Sequence, residues 1–147
     1  MNNQEILKKV ADGLSTELYD FSEKDFEAYG MIVGTGEGRA QRVYILVSEM
    51  ESEKYFFIFS VIGEYIDNPE VLKTLLKLNY TGSALFNGAY TIIDWELEEG
   101  KGLVPCFAAV GSHNTKDADK EILTKIITGV GVMANTAEKY LYGHDKK

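Results

Sequence analysis

Residues 55–62 read YFFIFSVI, a short run that is apolar on both of its alternating faces. Its length and its richness in aromatic and β-branched side chains mark a strand. A strand of this kind belongs inside a sheet whose two sides are both withdrawn from water, so the rest of the chain has to cover it. The charges around it, Glu53, Lys54, Glu64 and Asp67, suit gatekeepers against aggregation.

The flanking segments supply helices and further strands. Ile6, Leu7, Val10, Leu14 and Leu18 fall at helical spacing, although Gly13, Ser15 and Thr16 weaken the second half. Residues 20–25 read as a connection. Strands are expected over 26–33 and 43–47, with Gly34, Gly36 and Gly38 in the loop between them and a turn near Glu51-Ser52 leading into 55–62. Such short connections favour an antiparallel meander. Asn68-Pro69-Glu70 then opens a helix: Asn caps, Pro suits the first helical position and Glu complements the positive end. Val71, Leu72, Leu75, Leu76 and Leu78 give that helix its apolar side, and Asn79 is placed to end it before Gly82. A second β region is expected from Ser83 through Trp95, with a break at Asn87-Gly88. A turn over 98–102 leads to a strand over 103–110, and a last helix runs from near Thr115 to about Tyr142. The order is α-βββ-α-ββ-α: an α+β fold, mainly antiparallel, with the helices packed on one face. At 147 residues this is one domain, and its last residues, 143–147, are expected to fray.

Charge and composition narrow the partners. The chain carries 23 acidic against 15 basic residues, a net charge of −8 that repels phosphate backbones and argues against nucleic acid. The first 14 residues alternate polar and apolar, unlike a signal peptide. The longest apolar run, 55–59, falls far short of the roughly 20 residues needed to cross a membrane. A cytoplasmic protein without membrane insertion is expected. The single cysteine, Cys106, has no intramolecular partner and fits a reducing compartment.

Sites of chemistry are sparse. Residues 34–39 resemble a phosphate loop only in their glycines, because Arg39-Ala40 leads into a strand where a Walker loop needs Lys, then Ser or Thr, then a helix. A hairpin loop that uses glycine for positive φ explains them better. His113, Asp117, Asp119 and Glu121 form the best metal or acid–base candidate, yet the acids read more simply as a solvated first helical turn. A small enzyme using His113 with Asp117 or Asp119 is the competing hypothesis from another class. Cys106 lies in an apolar strand with no cation near in sequence and reads as a small buried hydrophobe. No catalytic residue, metal or cofactor is expected.

The hairpin of 43–62 points to function. With Glu51-Ser52 as its turn, Ser48 faces Tyr55, Leu46 faces Phe57 and Tyr44 faces Phe59, while Val43, Ile45, Val47, Phe56, Ile58 and Ile62 share the opposite, more aliphatic face. Tyr29 and Met31 extend the aromatic face if the Gly-rich loop sets the same parity, and Trp95 is either a rim-of-core residue or an interface anchor. Full burial of a large apolar side chain contributes about 1.5–3 kcal/mol, so leaving five or six bare forfeits on the order of 10 kcal/mol. Either the last β region or a loop folds over this face, or it is a seam for a second copy or a partner, where such residues are enriched. The candidate surface is therefore Tyr29, Met31, Tyr44, Leu46, Tyr55, Phe57, Phe59 and Trp95.

The element order, acidity and size resemble the class I type III secretion chaperones and the YbjN-like bacterial domains. The most similar stretch is Leu75-Leu76-Lys77-Leu78-Asn79-Tyr80-Thr81-Gly82, which looks like the helix end and small-residue strand start of those families. Residues 88–93 with the following charged turn and strand resemble their next hairpin, and the likeness in architecture spans about residues 3–142. The turn over 98–102 is longer than in many of the chaperones. The resemblance implies a homodimer that holds an extended segment of a secreted effector without ATP, through apolar grooves and strand addition. The YbjN-like alternative implies a regulatory or scaffolding domain that binds a folded partner.

Overall fold

Both turns of the meander rest on two consecutive residues with positive φ: Glu37 (55°) and Gly38 (74°) in the first, Glu51 (52°) and Ser52 (69°) in the second. That combination is typical of type I′ turns, whose twist matches that of the strands they join. The structure, a computed structural model, describes residues 2–86 and 88–142, the side chains of 80–86 excepted. The expected tail at 143–147, and Asn87, lie outside the described residues.

Helix α1 (Asn3–Gly13) starts from a capping box in which Asn2 and Glu5 exchange side-chain and backbone hydrogen bonds. It stops at Gly13, and Leu14 and Leu18 pack against the core from the connection beyond it. A two-residue strand, β1 (Tyr19–Asp20), then appears where only a connection was expected. Strands β2 (Glu27–Gly36), β3 (Arg39–Met50) and β4 (Glu53–Glu64) form the meander. Helix α2 (Pro69–Phe86), strands β5 (Ala89–Trp95) and β6 (Val104–Asn114), and helix α3 (Lys120–Tyr142) complete the chain. The sheet is antiparallel throughout, in the order β1-β2-β3-β4-β6-β5. The α+β expectation is met.

Strands β2 and β3 run longer than the expected 26–33 and 43–47, and two boundaries of the later helices also differ. Asn79 does not end α2, which continues through Gly82 to Phe86, so 83–86 are helical and not part of a strand. The side chain of Asn79 does other work, accepting the backbone N–H of Tyr90 at the start of β5. The last helix begins at Lys120, not near Thr115, because β6 runs on to Asn114 and Asp119 accepts the Ile122 N–H at 2.8 Å as a cap.

The helices bury one face of the sheet. Leu7 and Val10 of α1, Leu75 of α2, and Leu123, Ile127 and Val130 of α3 meet Val43, Ile45, Phe56, Ile58 and Phe107 in a single core. Arg39 at the start of β3 is tied to α3: its Nε donates to Asn135 Oδ1 at 2.6 Å, and its guanidinium lies 3.4 Å from Glu138 Oε1. Gly63 faces the same side, and a methyl there would meet the ring of Tyr142, with Cζ at 2.8 Å. Among the described residues the opposite face of the sheet carries no helix.

Candidate functional site: an aromatic sheet face

The β3–β4 register is the one expected from the hairpin: Tyr44 pairs with Phe59, Leu46 with Phe57 and Ser48 with Tyr55. These side chains all point away from the helices, because Ile45, Val47, Phe56 and Ile58 alternate with them toward the core. Tyr44, Leu46, Tyr55, Phe57, Phe59 and Trp95 are all half-buried, neither sealed inside the protomer nor bare.

Tyr29 and Met31 must be corrected. They are 4% and 2% exposed and sit in the core, paired with Ile45 and Val43. The cause is one residue. At the turn Gly36 pairs with Arg39, and a regular ladder continuing from there would set Met31 opposite Tyr44 and Tyr29 opposite Leu46. Instead Gly34 pairs with Ala40, leaving Thr35 as the extra residue of a bulge. A shift of one residue sends every side chain beyond it to the other face. The phenol of Tyr29, pushed up to about 12 by burial and by its hydrogen bond to Glu27, points toward α1, where Glu27 also accepts from Asn3.

The aromatic residues form a connected group. Tyr44 stacks on Phe59 with ring centroids 5.4 Å apart, and Trp95 lies 4.9 Å from Tyr44 and 5.5 Å from Phe59. From the other side Phe21 approaches Tyr44 at 6.3 Å and Tyr19 at 6.5 Å. Phe21 can come down onto the sheet because Gly30 lies beneath it: a methyl on Gly30 would be 2.8 Å from Phe21 Cε2. Phe57 and Tyr55 share the face nearer the hairpin end, where Tyr55 Oη donates to Glu53 at 3.3 Å. A cleft of about 530 Å³ opens among Phe21, Phe26, Tyr44, Leu46, Phe59 and Trp95, within the range of ligand pockets.

Tyr19, Phe21, Phe26 and Arg42 belong to this surface and were not foreseen. Tyr19, Phe21 and Phe26 are 42%, 50% and 44% exposed. Gly30 inside a strand was the available signal, since such a glycine marks a close approach by another group. The phenol of Tyr19 is held above its ordinary value by a hydrogen bond with Glu17 and by that carboxylate's charge, with Arg42 opposing.

The remaining candidates do not converge. His113 lies in β6, with Nδ1 2.9 Å from its neighbour's Asn114 carbonyl, while Asp119 caps α3 and Asp117 is exposed in the preceding turn. Among the described residues no group of three His, Cys, Asp or Glu side chains could hold a metal ion, and no helix is long and apolar enough to cross a membrane. Cys106 is buried, and desolvation, then the charges of Glu64 and Asp94, push its thiol up.

No protein-family model and no curated protein matches the chain.

Proposed function

We propose that the protein binds another polypeptide through the aromatic face, as a type III secretion chaperone-like homodimer that holds an extended segment of its partner without catalysis. The observation that carries this is the half-burial of Tyr44, Leu46, Phe57, Phe59 and Trp95 on a sheet face without a helix. Phe21 and Trp95 cover part of the face, so its surplus is smaller than the sequence suggested. Completing the burial of five such side chains is still worth about 1 kcal/mol each, enough to drive association. The open edge of β5 supports strand addition. Tyr90 gives its amide to Asn79, so the backbone groups of Ile92 and Asp94 also point away from β6, and they meet no partner among the described residues. An extended segment could pair there.

The test combines light scattering in dilute solution with titration of a reduced, carboxymethylated polypeptide and of its folded parent. A dimer that binds the unfolded chain, and binds it more weakly after Tyr44→Ala with Phe59→Ala, is the expected result. A monomer indifferent to the unfolded chain would sink the proposal. Selective binding of the folded parent would favour the YbjN-like scaffold instead.

A further inference from the structure

Three clefts open on the aromatic face, of about 290, 450 and 530 Å³, and two residues line all three, Tyr44 and Arg42. Among the described residues Arg42 is the only charged one lining any of them, in a chain whose net charge is −8. Arg42 pairs with Ile32 across the β2–β3 ladder and stands two residues before Tyr44 on the same face. Its backbone carbonyl accepts from Ser60, but its exposed guanidinium forms no ion pair or side-chain hydrogen bond among the described residues. A cation walled by tyrosine, phenylalanine and tryptophan attracts an anion more strongly than one in open water, because a seated partner displaces the screening solvent. Its planar fork fits a carboxylate bidentately.

From this placement we infer that the occupant of the face is an extended segment of another polypeptide in which an apolar side chain and a carboxylate stand two residues apart. This rests on the polypeptide-binding proposal above and specifies its partner. The spacing follows from strand geometry. Residues i and i+2 of a strand share a face about 7 Å apart, which is the offset between Arg42 and Tyr44. A strand-like segment lying along β3 therefore sets its apolar residue on the Tyr44–Phe59–Trp95 group and its carboxylate on Arg42. The opposing view is that Arg42 only keeps an apolar face soluble, in which case the sign of the partner's charge is immaterial.

The probes are three dye-labelled peptides, Ser-Gly-Phe-Thr-Glu-Thr-Gly-Ser and the same sequence with Gln or Lys in place of Glu, titrated by fluorescence anisotropy. Wild-type protein is expected to prefer the Glu peptide over the Gln peptide by about tenfold, as for a hydrogen-bonded charge pair. Arg42→Gln should abolish that preference, and Arg42→Glu should transfer it to the Lys peptide. Arg42 is exposed, so its variants are expected to fold, with circular dichroism as the check. Equal binding of the Glu and Gln peptides by wild type overturns the inference and leaves polypeptide binding standing. So does a preference that survives in Arg42→Gln. Binding of none of the three overturns the inference and, with indifference to the unfolded polypeptide, the broader proposal too.

Discussion

Trp95 meets Tyr44 with ring centroids 4.9 Å apart although strands β4 and β6 lie between theirs in the sheet. Strands sit about 4.8 Å apart, so the backbones of β3 and β5 are separated by roughly 14 Å, and the two side chains lean toward each other over Phe59 to close that distance. The contact joins the meander to the last hairpin on the side without helices. A double-mutant cycle with Trp95→Ala and Tyr44→Ala should give a coupling of about 0.5–1.5 kcal/mol, the range for aromatic pairs beyond their burial. Trp95→Ala alone should cost less than the roughly 3–5 kcal/mol of a fully buried ring. Urea denaturation followed by circular dichroism measures both, and strict additivity would show that the rings are neighbours without interaction.

Thr35 yields a prediction of unusual sign for a deletion within a strand. It is the extra residue between the Gly36–Arg39 and Gly34–Ala40 pairs, and its hydroxyl is buried with no hydrogen-bond partner among the described residues. Deleting it leaves every other cross-strand pair as it is and keeps Tyr29 and Met31 in the core. The deletion variant should therefore fold, with stability within about 1 kcal/mol of wild type, since the lost packing is offset by removal of an unsatisfied hydroxyl. Thermal denaturation and nuclear Overhauser contacts between Tyr29 and Ile45 check this. An unfolded protein, or contacts that place Tyr29 beside Leu46, would contradict the bulge.

The same residue shows where sequence reasoning stops. The β3–β4 register was legible because a two-residue turn at Glu51-Ser52 fixes the count for every later pair, and no bulge intervenes between Met50–Glu53 and Tyr44–Phe59. The parity of β2 was not, because a bulge absorbs one residue while the alternation on either side of it stays regular. The aromatic contribution of Tyr19 and Phe21 was hidden for another reason: β1 is two residues long, too short to show a period. Asn79 misled because its propensity to end a helix is weaker than its tertiary use, a side-chain bond to the first strand of the next hairpin.

Two glycines on the helix-covered side should respond to alanine with opposite signs. A methyl on Gly63 would lie 2.8 Å from Cζ of Tyr142, whose hydroxyl donates to the Glu64 carbonyl at 3.1 Å and holds the ring in place. Gly63→Ala should cost about 1–3 kcal/mol as overpacking. On α3, a methyl on Gly131 would sit 3.5 Å from Val33 Cγ1, an ordinary contact. Gly131→Ala should stabilise by up to about 1 kcal/mol through helix propensity alone. Urea midpoints of the two variants against wild type decide it, and a gain at Gly63 or a loss at Gly131 would mean that the α3 packing is wrong.

Alkaline titration tests the core from within. Burial pushes the phenol of Tyr90 up to about 12 from 10.0, and burial with the Glu27 hydrogen bond does the same for Tyr29. Folding favours the neutral form of both, so their contribution to stability is complete below about pH 10 and is lost as pH rises toward 12. Both phenols should ionise well above pH 10, as read from phenolate absorbance. Tyr90 Oη donates to the Met133 carbonyl at 2.7 Å, so Tyr90→Phe should cost about 1 kcal/mol at neutral pH. The same variant should lose stability less steeply than wild type as the solution is made alkaline, since one of the two buried phenols no longer has a proton to release. Identical slopes for the two proteins would mean that Tyr90 ionises as freely as a surface tyrosine, and that β5 does not close the core against α3.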